Sequence, residues 1–212
     1  MVAADLGAGG LMVASGLARG IDAAAHEGAL TTGTAAVLGG GIDVVYPAEN
    51  RNLYERIAEA GVLLSEVPPG TQPQARHFPR RNRIISGMAR GVVVVEASPR
   101  SGSLITARLA LEQGREVFAV PGAAMDPRAR GTNHLIREGA TLTESADDVF
   151  AVLTDAGAPE RSKIIVENQI VDSELTDIED ATSARDAIIA ALGPAPTTVD
   201  ELLRVCQFSL AV

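Results

Sequence analysis

Residues 77–107 read HFPRRNRIISGMARGVVVVEASPRSGSLITA, and this stretch decides the fold. Its middle, Val92 to Val95, is an unbroken β-branched run of the kind found in a parallel strand covered on both faces. Leu104 to Leu111 carries apolar residues at helical spacing. Between them Ser101, Gly102 and Ser103 offer an N-cap and a tight turn. A strand, a Gly/Ser turn and a helix in that order form one unit of a doubly wound α/β sheet, where anions sit at the carboxyl ends of strands on helix N-termini. Ser101-Gly102-Ser103 is therefore either a plain helix cap or a phosphate turn.

The residues before the strand point to an anion by breaking a local rule. Arg80, Arg81 and Arg83 crowd the first turns of a helix ending near Arg90, where unpaired N–H groups already present about half a positive charge. With Ile84, Ile85 and Met88 taken as the core side, the 100° advance per residue puts Arg81 beside that side and Arg80 and Arg83 toward its edge and back. The alternative is a solvated basic face past which Arg81 snorkels. Phe78 is either a platform for a nucleobase or a staple on Ile84. On this reading, replacing Arg81 and Arg83 together weakens anion binding and leaves the fold intact.

Working outward, 212 residues with 46% apolar content suffice for one substantial core and a small appendage. Nothing resembles a membrane span or a signal segment, which predicts a cytoplasmic protein. One cysteine, Cys206, rules out an internal disulfide, and three scattered histidines give no zinc spacing. Neither a metal nor a cofactor is expected. The net charge of −9 conceals a segregation. Residues 73–137 hold eleven arginines against four acids, whereas 138–212 hold four bases against fifteen acids. Arginine is the side chain best shaped for bidentate phosphate contacts, so the middle of the chain suits a polyanion despite the overall sign.

The N-terminal part reads as a helix end, a strand at Leu11 to Ser15, the turn Gly16 to Gly20 and a helix from Ile21 to Leu30. Arg19 lies in that turn, and Asp22 and His26 are spaced to pair on one helical face. Thr34 to Leu38 is the next strand, followed by Gly39, Gly40 and Gly41, which permit either a ligand or another backbone to approach closely. The three do not form a G-x-G-x-x-G fingerprint, so no dinucleotide site is supported. A helix at 52–60, a strand at 62–65, a Pro-rich loop, a strand at 116–120, a loop at 123–133 and a short helix at 133–138 follow. A last strand at 139–142 and a closing helix capped by Ser145 complete a Rossmann-like domain over residues 1–153. Its sheet is expected to be mostly parallel with helices on both faces. Residues 154–183 read as an acidic linker and 184–212 as a partial helical, winged-helix-like segment.

The ordered motifs are Ser15-Gly-Leu-Ala-Arg-Gly-Ile-Asp22 with His26, Gly39-Gly-Gly-Ile-Asp43 with Tyr46-Pro47, and Ser65-Glu66. Phe78-Pro-Arg-Arg-Asn-Arg-Ile-Ile85, Glu96-Ala97, Ser101-Gly-Ser-Leu-Ile-Thr106, Val120-Pro-Gly122 and Gly131-Thr-Asn-His-Leu-Ile136 follow. Together they resemble the DNA-processing protein A (DprA/Smf) family over about residues 11–150. The resemblance implies a single-stranded DNA-binding protein that protects incoming DNA, forms a homodimer and loads RecA recombinase in natural transformation or recombination. It implies a strand pocket lined by Arg19, Gly39, Gly40, Gly41, Phe78, Arg80, Arg81, Asn82, Arg83, Ser101, Gly102 and Ser103, with no catalytic residue. The sequence departs from the family pattern at both ends. It shows neither the small helical domain nor the first strand with its Gly-Ser-Arg-like loop, and its winged helix is incomplete at Val212.

Two other readings compete. A Rossmann-like hydrolase of nucleoside monophosphates also uses a glycine-rich phosphate crevice, but it needs a pair of acids where Glu96 stands alone. An adaptor without DNA binding is the other.

Overall fold

The computed structural model describes residues 2–154. The linker and the partial winged helix expected beyond them lie outside the described residues. Six parallel strands alternate with seven helices over this range: α1 Val2–Ala8, β1 Val13–Ser15, α2 Ile21–Ala29, β2 Thr34–Leu38, α3 Arg51–Ala60, β3 Val62–Ser65, α4 His77–Met88, β4 Gly91–Val94, α5 Gly102–Glu112, β5 Glu116–Ala119, α6 Arg130–Arg137, β6 Thr141–Leu142 and α7 Ala146–Thr154. Helices between parallel strands are the doubly wound, Rossmann-like arrangement.

Hydrogen bonding divides the strands into two three-stranded sheets, ordered β1-β2-β3 and β4-β5-β6, where the sequence predicts one. In the first, Ala14 lies opposite Ala35, and Ala36 opposite Leu63; in the second, Val93 lies opposite Phe118. Side chains nonetheless join the two. Val13 of β1 and Val93 of β4 both pack against the cluster of Leu6, Phe118, Ala146, Val149 and Leu153. Phe118 is fully buried there, a burial that contributes about 1.5–3 kcal/mol.

The β-branched run of β4 is less covered than its composition predicts. Val94 is buried, Val92 and Val93 are half-buried and Val95 is exposed. Within the described residues β4 pairs through hydrogen bonds with β5 alone, so one edge lacks the neighbour that would close it over. β2 is the opposite case. Flanked by β1 and β3, it is buried at all five positions, and small Ala35 and Ala36 let helices approach.

Two other details differ from the sequence reading. Met88 is half exposed, because the side of α4 that turns inward carries Arg81 and fully buried Ser86 rather than a wholly apolar stripe. The loop expected at 123–133 is shorter. Asp126 caps a single 3-10 turn, its carboxylate accepting from the Arg128 N–H at 2.9 Å, and α6 starts directly afterwards.

Candidate nucleic-acid interface

The chain reverses at the carboxyl end of β1 through Gly16 to Gly20, and Leu17 there takes a left-handed conformation with φ 57°. A side chain larger than glycine pays for that conformation, and here it is fully buried in a cluster with Leu38, Leu53 and Ile57. Asp22 holds the turn by accepting from the N–H groups of Gly16 at 3.0 Å and Ala18 at 3.2 Å. Asn50 Nδ2 donates to the Leu17 carbonyl at 2.9 Å. Two amides of the turn, those of Gly16 and Ala18, are thus occupied by an internal carboxylate.

His26 does not hydrogen-bond to Asp22. Its Nδ1 lies 2.7 Å from Thr34 Oγ1, which donates to the Val13 carbonyl at 2.8 Å, so the imidazole ties α2 to β1 and β2. Burial pushes its pKa down to about 4 against the pull of nearby Asp22.

Arg81 is buried and spent on the main chain. Its Nη1 donates to the Gly16 carbonyl at 2.7 Å and to the carbonyl of Val37. Its Nε reaches Asn82 Oδ1 at 3.3 Å. A Cβ on Gly16 would stand 2.5 Å from this guanidinium, so glycine is required there. Burial lowers the Arg81 pKa, opposed by the Asp22 charge. Arg81 is therefore a strut that pins α4 to the ends of β1 and β2. Its donors are satisfied by carbonyls where the sequence reading expects a phosphate, while Arg81 also lines the crevice described below. A strut of this kind bears on the forecast of an intact fold without Arg81, which denaturation of an Arg81 variant tests.

Of the two readings of the three glycines after β2, the packing favours close approach of other backbone, with Gly39 also lining the crevice described below. Gly39, Gly40 and Gly41 are buried beneath other chain segments and do not form an open cradle. A Cβ would meet the Phe78 ring at Gly39, the Thr71 carbonyl at Gly40, and both Gly70 N and the Pro68 carbonyl at 2.8 Å at Gly41. Their smallness brings the Pro-rich loop and α4 down onto the strand end.

What remains open is a crevice of about 80 Å³ lined by Leu38, Gly39, Glu66, Val67, His77, Arg80 and Arg81. Arg80 is exposed and makes no ion pair among the described residues, and Arg83 pairs with Glu66. Phe78 lies 5.7 Å, ring to ring, from Tyr46, whose exposure is 48%. The Arg81 guanidinium sits 5.9 Å from the centre of the Phe78 ring, so the aromatic pair is anchored from beneath. Phe78 thus packs on Gly39 and presents Tyr46 to solvent. Arg19, on the turn after β1, pairs with Glu49 at 2.7 Å, which raises its pKa and lowers that of the acid.

Asn82 is half-buried beside Arg81. Ser101, Gly102 and Ser103 follow β4, a strand of the other sheet, and serve the cap. The Ser101 hydroxyl oxygen accepts from the Ser103 N–H at 3.3 Å, while Gly102 is exposed with open space where a Cβ would be. Glu96 pairs with Arg128 at 3.7 Å, and Arg128 pairs with Asp126 at 2.9 Å. Sequence reasoning gave no role to Glu49, Glu66 or His77, because neither the acids nor the histidine carry a spacing that reveals which arginine or strand end they face.

The family of DNA recombination-mediator protein A matches residues 1–154, and the DprA winged helix domain matches residues 174–212, beginning ahead of the segment inferred from helical pattern. DNA processing protein DprA of Streptococcus pneumoniae is 54% identical over 143 residues, covering 66% of this chain and 51% of that protein. Protein Smf of Escherichia coli is 42% identical over 209 residues, covering 92% of this chain and 56% of that protein. The chain thus spans about half the length of these relatives. The fold superposes on the S. pneumoniae DprA structure with TM-score 0.66 and 51% identity, covering 71% of this chain and 53% of that one. It superposes with TM-score 0.67 and 29% identity on DNA processing protein A of Helicobacter pylori, described for its single-stranded DNA binding mode, covering 73% and 71%. With parallel strands, the strained Ser-Gly-Leu-Ala-Arg-Gly turn and the Phe-Pro-Arg-Arg-Asn-Arg helix start all in place, the chain belongs to the DNA recombination-mediator protein A family, the DprA/Smf proteins.

Proposed function

We propose that this chain binds single-stranded DNA along the crevice at the ends of β1, β2 and β3, and does so without turnover. The observation that carries the reading is that exposed Arg80 and Arg83 share α4 with Phe78, whose ring pairs with exposed Tyr46 from the segment after β2. Arginines hold successive phosphates while an exposed ring stacks a base, which gives weak sequence preference and strong salt dependence. Arg19 extends the basic edge. The H. pylori relative's single-stranded DNA binding mode supports the choice of ligand.

The family's description as a recombination mediator supports a further step in which a homodimer in the cytoplasm protects the strand and hands it to RecA recombinase during natural transformation or recombination. No helix among the described residues is long and apolar enough to cross a membrane.

The test is fluorescence anisotropy of a labelled oligothymidine titrated with the full chain at low and moderate salt, beside a duplex and beside nucleoside monophosphates assayed for hydrolysis. Salt-sensitive binding that favours the single strand, with no turnover, is the expected result. Hydrolysis of the monophosphates, or a folded protein that ignores the oligonucleotide, overturns it.

A further inference from the structure

The crevice carries its own anion. Glu66 directly follows β3 and lines the crevice with His77 and Arg80, and its Oε1 is paired with Arg83. The backbone on both sides of Glu66 is fixed by one hydroxyl: Ser65 Oγ donates to the Gly40 carbonyl at 2.7 Å and accepts from the Val67 N–H at 3.2 Å. The same arrangement recurs at the edge of the site, where Glu49 holds Arg19 at 2.7 Å. Both pairs are solvent-exposed, with side-chain exposures of 49% and 41% for Arg83 and Glu66.

We propose that Glu66 is an internal counter-ion that holds Arg83 where a strand phosphate would, so that binding exchanges one carboxylate for one phosphate. This rests on the single-stranded DNA reading. A carboxylate and a phosphodiester each offer a guanidinium two negatively charged acceptor oxygens, which is why one can stand in for the other. Exposed ion pairs are weak, so the exchange is cheap for a ligand that brings other contacts with it. A lone phosphate gains little by displacing Glu66. A strand that also reaches Arg80 and stacks on Tyr46 gains several contacts for the same displacement, so the acid discriminates polymeric strands from small anions.

Exchange has a measurable signature in the salt dependence. A freed Glu66 left beside the strand offsets the positive charge that Arg83 brings to it, so the pair displaces fewer condensed cations than a lone arginine, and removing the acid restores that release. Anisotropy with labelled oligothymidine over a salt series therefore compares the full chain with its Glu66→Gln, Arg83→Ala and doubly substituted forms. Glu66→Gln is expected to bind several-fold tighter at low salt and to steepen the slope of log K against log salt by about 0.7. The same substitution in the Arg83→Ala background should tighten binding clearly less, through relief of the carboxylate's repulsion of the strand alone. Glu112→Gln, which frees Arg108 of its 2.9 Å partner near the far end of α5, is the control for general charge and leaves binding unchanged. Glu49→Gln repeats the comparison at Arg19 should Glu66→Gln melt early. Equal affinity and slope in Glu66→Gln, or equal tightening with and without Arg83, overturns the exchange while the DNA-binding reading stands. Failure of every folded form to bind removes both.

Discussion

Arg81 Nη1 lies 2.7 Å from the carbonyl oxygen of Gly16, joining the first turns of α4 to the turn after β1 across 65 positions of sequence. A helix start loaded with cations would repel itself; here one of those cations is consumed internally, which leaves its neighbours directed outward. The consequence is a division of labour among adjacent arginines. Arg81 positions, whereas Arg80 and Arg83 are exposed, Arg80 lining the crevice and Arg83 held by Glu66 of that lining.

That division predicts opposite behaviour for neighbouring substitutions. Arg81→Met should lower the unfolding free energy by about 2–4 kcal/mol, because two carbonyls lose a charged donor in a buried place. Arg80→Ala should leave stability within about 0.5 kcal/mol of the parent and weaken oligothymidine binding. Urea denaturation and anisotropy on both variants check this. A stable Arg81→Met that has lost only DNA binding would return Arg81 to the ligand-binding set.

The glycines separate in the same way. Gly41→Ala should cost about 1–3 kcal/mol, since its Cβ meets main-chain atoms at 2.8 Å and the Pro-rich loop must move. Gly102→Ala faces open space at a helix start and should cost nothing, or stabilise by up to about 1 kcal/mol. Thermal melts of the two proteins decide the point, and equal midpoints would contradict the packing role given to Gly41.

His26 should make the fold acid-sensitive. Its pKa is about 4 when folded against 6.5 for the free side chain, so the unfolded chain binds the proton more readily. The stability this group contributes is complete above pH 6.5 and is lost as pH falls toward 4, in total on the order of 3 kcal/mol. Carboxylates titrate in the same range, so the comparison is the difference between the stability–pH curves of the parent and His26→Gln. A difference that stays flat from pH 7 to about 4 would show that His26 is solvated or already charged in the fold.

Tyr46 is the exposed partner of the aromatic pair and the better test of stacking. Tyr46→Ala should weaken strand binding by about 1–3 kcal/mol with little change in melting temperature, and Tyr46→Phe should retain it. Phe78→Ala should lose both binding and stability, because its ring also packs on Gly39. If Tyr46→Ala binds like the parent, bases do not stack there and the site is electrostatic alone.

The sequence by itself determined the alternation of parallel strands and helices and the family, since apolar periodicity, turn residues and ordered motifs are local properties; it left Ser101 open between a cap and a phosphate turn. The 100° helical advance set Arg81 beside the core side of its helix and Arg80 and Arg83 toward the edge and back, but it did not say that Arg81 is buried. What Arg81, Gly39, Gly40 and Gly41 touch was decided only by tertiary structure. A buried guanidinium and a phosphate-binding one carry the same residue type at the same spacing, and a glycine beneath a loop looks like a glycine beneath a ligand. The partners that tell them apart, the carbonyls of Gly16 and Val37, the loop at 68–73 and the carboxylate of Glu66, come from distant positions that only the folded chain brings together.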